Sequence, residues 1–148
     1  MPRISVPEGS DPLIHVWAAA APDLSVPAAQ FSAAVYEKSA LPLREFEAAR
    51  VRIAQIDEEF YAHIGDASWT GFTERERLAA EFAERFALDH HSMDDAFWQR
   101  LRAEFTDAEI VDLGLCVGMW ISQGRLNQVL DVDGGCRVPA PDTPNVGG

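Results

Sequence analysis

The chain has 148 residues, and 47% of them are hydrophobic, which is enough for one packed domain and argues against global disorder. It carries 12 basic and 24 acidic side chains, so its formal net charge is −12. This charge repels nucleic-acid backbones and anionic lipid, so we expect neither a nucleic acid nor a membrane as a partner. The sequence contains no stretch typical of a targeting signal, and we expect a cytoplasmic protein.

Prolines and glycines distinguish the two ends of the chain from its centre. Four prolines fall within residues 1–24, which we expect to be irregular because proline lacks the N–H that a helix interior needs. Glycine and proline recur in residues 133–148, which we predict to be a flexible tail. The residues between them, 25–132, are predicted to form one helical domain.

Apolar residues in the predicted domain recur every three or four positions, which is typical of helices. Local start signals divide it into segments, among them two capping boxes of the Thr-x-x-Glu type. The predicted helices begin near Ser25, Pro42, Asp57, Thr73, Ser92 and Asp107. The sequence therefore predicts an all-α fold, an antiparallel helical bundle of five or six helices.

The last predicted helix, from Asp107 to Leu130, has an apolar centre on nearly all sides. Such a helix lies in the middle of a core or at an interface between subunits. Gly114, Gly118 and Gly124 either weaken this helix locally or allow another helix to approach it closely.

Two acid–base candidates lie in the first half of the predicted domain. Arg50 falls within the apolar stripe of its helix and Glu47 lies beside that stripe, and the two are at the spacing of an ion pair. We favour that ion pair, although a charged pair on a core-facing stripe is also what a lined pocket would show. His63 follows Glu59 at i+4, a pair that could relay a proton but is more often a surface pair.

His90 and His91 stand beside Asp89 and are the strongest metal-capable group in the sequence. Neighbouring residues on a helix point in different directions, so we expect a histidine pair at a helix C-terminus and no metal site. The sequence contains no Gly-rich phosphate loop, nucleophile elbow or HExxH motif, and we expect no cofactor.

The two cysteines, Cys116 and Cys136, do not form a CxxC motif. Thiols of a cytoplasmic chain are more often reduced than bridged. Cys116 lies in an apolar helix and is predicted to be a small core residue, whereas Cys136 follows two glycines in the predicted tail and is expected to be accessible.

Several short words in the sequence match a known family in order and spacing. They are LPLREFEAARVRIAQ from Leu41, FTERERLAAEFAERFALDH from Phe72, FTDAEIVDL from Phe105 and GRLNQVL from Gly124. Over about residues 40–132 they resemble the carboxymuconolactone decarboxylase family, in particular its alkylhydroperoxidase-D-like branch. The resemblance implies a helical homo-oligomer, commonly a trimer or hexamer, with a small-molecule ligand as a further possible partner.

In that family a CxxC motif with a histidine shortly after it reduces a hydroperoxide, and an upstream glutamate joins the histidine in a proton relay. By resemblance Glu47 matches the upstream glutamate. The CxxC itself is absent, because the chain goes from Ile56 directly to a word ending in His63 that resembles the family's sequence just after the redox segment. A block of about 20 residues, a helix and a turn, is therefore missing.

A competing alignment needs a smaller gap. It sets Tyr61-Ala62-His63 against the Trp-Ala-His of family members that have glutamates in place of the cysteines. We prefer the deletion, because the continuation into Gly65-Asp66 fits it better. Under either alignment the thiol pair is lost.

We therefore expect a family member without thiol chemistry that acts as an oligomeric binding or scaffold protein. One alternative is an enzyme with a decarboxylase-like acid–base activity that uses Glu47 and His63 as catalytic residues. The other is a peroxidase that uses a relocated thiol, Cys116 or Cys136.

Overall fold

The computed structural model describes residues 2–9, 12–57 and 72–132, and within these ranges every regular element is helical. Six α-helices and the 3-10 turn His90–Ser92 follow one another along the chain. The α-helices are α1 Pro12–Ala20, α2 Pro22–Lys38, α3 Leu43–Ile56, α4 Glu74–Leu88, α5 Asp95–Glu104 and α6 Asp107–Leu130. The predicted all-helical bundle is confirmed. None of these described helices combines the length and apolar content that a membrane span requires.

The chain divides into two compact units, Met1–Ala29 with Leu126–Gly148, and Gln30–Arg125. In the first unit, the Arg3 amide donates a hydrogen bond of 2.9 Å to the Leu130 carbonyl. The predicted tail, residues 133–148, lies outside the described residues. The predicted domain boundaries at residues 25 and 132 stay a prediction.

The prediction that residues 1–24 are irregular is wrong from Pro12 onward. Pro12 and Pro22 are the first residues of α1 and α2, where a missing N–H is not needed for an intrahelical bond. Pro27 lies inside α2 and not at its start. Ser25, predicted to cap the helix, is also inside it, and its hydroxyl donates to the Pro22 carbonyl at 3.1 Å. The first helix therefore begins at Pro12, and the helix predicted to begin near Ser25 begins at Pro22.

Both predicted capping boxes are formed. The Thr73 hydroxyl accepts from the Glu76 amide at 3.2 Å, and the Glu76 carboxylate accepts from the Thr73 amide at 3.3 Å. Thr106 and Glu109 make the same pair of bonds at the start of α6, at 3.2 and 2.8 Å. These bonds satisfy amide groups that the first turn of a helix otherwise leaves without partners.

The N-cap of α5 is Asp94, whose carboxylate accepts from the Phe97 amide at 2.9 Å. The sequence predicts this start near Ser92, which instead ends the 3-10 turn. The difference is two residues, within the usual uncertainty of a helix boundary.

The core of the second unit is made by one face of each of its helices. Its largest fully buried side chains come from four different helices: Ile53, Leu78, Phe97, Leu101, Leu113 and Val117. Phe46 and Trp120 pack edge to face, with ring centroids 5.0 Å apart, and so join α3 to α6. The Trp120 indole donates to the Tyr36 hydroxyl at 3.1 Å, which ties α2 to the same cluster.

Contacts between side chains show the direction of each neighbouring helix pair. The Arg75 guanidinium lies 4.3 Å from the ring centre of Phe105, and that of Arg85 lies 4.6 Å from Phe97. From the first contact to the second, the residue number rises on α4 (75 to 85) and falls on the partner side (105 to 97). The helices α4 and α5 are therefore antiparallel, as predicted.

The pair α3 and α4 departs from the antiparallel order. Arg44 pairs with Glu76 at 2.6 Å, and Arg52 pairs with Glu84 at 3.2 Å, so the numbers rise together and the helices are parallel. A parallel neighbour requires a connection that returns along the length of the helix. In the sequence, residues 57–73 separate the two helices.

Candidate functional site

Glu47 lies on α3 and is held by Arg50 one turn later. The Arg50 Nη2 and Nε atoms lie 2.6 and 3.1 Å from the Glu47 carboxylate. The Glu47 side chain is 41% exposed and that of Arg50 is 15% exposed. The predicted ion pair is therefore confirmed, and it sits at the edge of the core with the carboxylate on the outer side.

The partner predicted for Glu47 in a proton relay is His63, which lies outside the described residues, as do Glu59 and Cys136. The catalytic roles assigned to Glu47 and His63 therefore stay predictions.

Cys116 is buried, at 2% exposure, which confirms the predicted core position. Its Sγ atom lies 3.5 Å from Oδ1 of Asp112 and 3.8 Å from Oγ of Ser39. Burial raises the pKa of the Cys116 thiol to about 11; the Asp112 carboxylate acts in the same direction, while the hydrogen bond with Ser39 opposes it. Only the thiolate is a good nucleophile, so this environment suppresses thiol chemistry.

The hydrogen bonds that Asp112 accepts explain why a carboxylate lies beside the Cys116 thiol. It accepts from the Ser39 hydroxyl at 2.5 Å and from the Ala40 amide at 2.8 Å. Asp112 thus fastens the end of α2 to α6, and Cys116 fills the space one turn further along α6.

We expect Cys116 to react slowly with an alkylating reagent. In a Cys136→Ser variant at pH 8, the native chain should be labelled roughly 100-fold more slowly than the urea-unfolded chain, because a pKa near 11 leaves about one thiol in a thousand ionised. Mass spectrometry of the labelled Cys116 peptide measures both rates. Similar rates in the folded and unfolded chains would contradict the burial of this thiol.

An open groove of about 680 Å³ runs along α4. Charged side chains dominate its lining and include Arg52, Arg77, Glu81, Glu84, Arg85 and Asp89. The Glu81 carboxylate accepts hydrogen bonds from Arg100 and from Arg85. These bonds hold the pKa of Glu81 below its usual value, and the bond from Arg100 has the larger effect. The Arg77 side chain forms no ion pair within the described part of the chain. Such a lining suits a polar ligand better than an apolar one.

Sequence reasoning missed this groove, because its residues look like an ordinary solvent-facing helix surface. The available signal was the spacing of Arg77, Glu81, Glu84 and Leu88, which places them along one face of α4.

A second charged group, also missed, connects the N-terminal ends of three helices. Arg75 on α4 pairs with Glu45 on α3 at 2.9 Å and with Glu109 on α6 at 3.2 Å. It also donates to the Glu104 carbonyl and stacks over Phe105. Glu45 is only 8% exposed, so this arginine compensates a largely buried carboxylate.

His90 and His91 form a tilted pair of rings on the exposed 3-10 turn, with ring centroids 4.0 Å apart and an interplanar angle of 38°. Within residues 2–9, 12–57 and 72–132, no three or more His, Cys, Asp or Glu side chains gather as a metal site would require.

No family model matches the chain. The chain is similar to the "Uncharacterized protein YnjA" of Escherichia coli (strain K12), with 34% identity over 70 residues. The matched stretch covers 46% of this chain and 38% of that protein. The chain thus spans well under half the length of the curated relative.

Proposed function

We propose that this chain is a carboxymuconolactone decarboxylase-like helical protein without thiol chemistry, which acts as an oligomeric binding or scaffold protein in the cytoplasm. The observation that carries the proposal is the state of Cys116. Reduction of a hydroperoxide by a cysteine requires a thiolate that the peroxide can reach. Cys116 is buried at 2% exposure, and burial raises its pKa to about 11.

The oligomeric part of the proposal draws on the surface of α6. Val111 and Leu115 are 62% and 55% exposed on a helix whose opposite side is core. Neighbouring exposed apolar side chains often belong to an interaction site. The family resemblance implies a trimer or a hexamer.

The binding part draws on the groove along α4. Its guanidinium groups are arranged next to carboxylates, so the ligand class that it suits is a small polar molecule with at least one anionic group placed near Arg77.

One observation favours a second candidate, an acid–base enzyme that uses Glu47 and His63. The Glu47 carboxylate is fixed in orientation by the two Arg50 nitrogens and is still 41% exposed, so a substrate could reach it. An oriented, accessible carboxylate is a suitable general base.

The test is dithiol-dependent reduction of an organic hydroperoxide and decarboxylation of a lactone acid by the purified full chain. The Cys116→Ser/Cys136→Ser double variant and a Glu47→Gln variant are measured beside the wild type. We expect no turnover above the reagent blank in any of them. A thermal-shift screen of polar anions should then find ligands that stabilise the wild type and lose their effect in an Arg77→Gln variant.

The variants separate the alternatives. Hydroperoxide turnover that disappears in the double cysteine variant would replace our proposal with a relocated thiol site. Turnover that survives in that variant and disappears in Glu47→Gln would instead establish the acid–base enzyme.

A further inference from the structure

One face of α6 carries an apolar stripe with the spacing of a helix–helix seam. Ala108, Val111, Leu115, Gly118 and Ser122 follow one another at intervals of three and four residues, and we call them the α6 stripe. This interval keeps side chains on the side that faces a partner helix in coiled-coil packing. Val111 and Leu115 are more than half exposed, so the described protomer does not cover the seam.

The middle of the α6 stripe combines a large and a small residue. Leu115 is 55% exposed, and Gly118 follows one turn later. A Cβ atom at Gly118 would meet no atom of residues 2–9, 12–57 and 72–132 within 4 Å, so these residues leave the space above this glycine open. A protruding leucine beside an open glycine is self-complementary, because a reversed copy of the stripe places its leucine over that glycine.

The two ends of the stripe carry opposite charges on the same flank. Asp107 and Arg125 are separated by five turns of 3.6 residues, so they have the same angular position on α6. Asp107 is exposed. The Arg125 Nε–H group donates to the Asp57 carboxylate at 3.0 Å, and the Arg125 side chain is still 42% exposed.

We propose that the α6 stripe is the contact with a second copy of this chain, whose α6 packs against it in the antiparallel direction. With Leu115 opposite Gly118 of the second copy, Val111 lies opposite Ser122 of that copy. The same register brings Asp107 of one subunit next to Arg125 of the other, twice per contact.

The charges favour this occupant over others. In a parallel pair related by a two-fold axis, the charged flanks of the two copies lie on opposite sides of the seam, so neither Asp107 nor Arg125 gains an opposite charge from the other copy. The antiparallel contact is isologous, so it closes with two subunits, either as a dimer or as the two-fold contact of a larger even assembly. The inference thus names the partner surface for the oligomeric role proposed above, and it rests on that role.

The experiment is sedimentation velocity of the full chain at several concentrations between about 1 and 100 μM, a range that brackets weak and strong dimers. Two variants test the seam. Leu115→Glu places a charge at its centre, and Gly118→Gln extends a side chain into the space where a Cβ atom meets no atom of the described residues within 4 Å. Leu43→Glu is the matched control, because Leu43 is 73% exposed on α3 and lies off the stripe.

We expect an even-numbered wild-type assembly that Leu43→Glu leaves intact. Leu115→Glu and Gly118→Gln should each weaken the contact at least about 30-fold, as central interface residues do. At a concentration where wild type and variant are both monomeric, Gly118→Gln should not lower the thermal midpoint, since glycine is a poor helix residue, and this separates loss of association from loss of folding.

A monomeric wild type, a trimer, or an assembly that both stripe variants leave unchanged would overturn the inference. Each of these results leaves the turnover assays untouched, so the proposed lack of thiol chemistry would stand or fall separately.

Discussion

Replacing Phe97 by alanine is expected to lower the free energy of unfolding by about 3–5 kcal/mol. Phe97 is 1% exposed and lies on α5, a helix of ten residues whose other buried side chain is Leu101. The substitution leaves a cavity that the surrounding helices fill only in part. It also removes the ring over which the Arg85 guanidinium lies, 4.6 Å from the ring centre. Urea denaturation followed by circular dichroism measures the loss.

Phe86→Ala is the matched control, because it deletes the same atoms from a ring that is 38% exposed. We expect a loss below about 1.5 kcal/mol there, since much of the ring already contacts water. Equal losses at the two positions would mean that α5 is not packed on the core through Phe97.

Replacing Arg75 by methionine is expected to cost about 2–3 kcal/mol, because it leaves the carboxylates of Glu45 and Glu109 without their cation. Methionine keeps most of the apolar contact with Phe105, so the loss reports mainly on charge. Arg75→Lys should recover part of it, since lysine supplies a charge without the planar fork that reaches two carboxylates. The same urea denaturation experiment applies.

The loss in free energy of unfolding caused by Arg75→Met should depend on pH. The Thr106 amide, and after it Arg75, hold the pKa of Glu109 below its usual value. A carboxylate with a lowered folded-state pKa stabilises the fold above the unfolded-state pKa, and that stability is lost as the pH falls through the folded-state value. The difference between wild type and Arg75→Met should therefore narrow on acidification.

Arg77→Met is the control for this prediction. It makes the same change two residues along α4, at an exposed side chain without an ion pair in the described part of the chain. We expect a change within about 0.5 kcal/mol. A cost at Arg77 equal to that at Arg75 would contradict a specific role for the Arg75 contacts.

The features that the sequence predicted correctly have their cause within a few residues. The capping boxes at Thr73 and Thr106 close between positions three apart, and so does the Glu47–Arg50 pair. The error at Pro12 has a local cause as well. Proline can end the helix before it or begin the helix after it. The number of prolines in a segment does not tell which of these two roles each one has.

The features that were missed depend on residues that are distant in sequence. Arg75 meets Glu45 only because α3 and α4 are parallel neighbours, and nothing in the word around Arg75 distinguishes it from Arg77. The Cys116 environment likewise depends on Ser39, from a different helix. Periodicity predicted that Cys116 is buried. It did not predict that the Asp112 carboxylate beside it would accept hydrogen bonds from Ser39 and Ala40, just after α2.

The parallel arrangement of α3 and α4 also bears on the order in which the chain folds. The antiparallel hairpin of α4 and α5 closes over residues 89–94 alone, so its contacts are local and form at a small cost in chain entropy. The contacts between α3 and α4 instead close the longer loop between Ile56 and Glu74 in the sequence. Contacts across longer loops form more slowly. We therefore expect α4 and α5 to act as the folding nucleus and the α3 ion pairs to form late, where they chiefly slow unfolding.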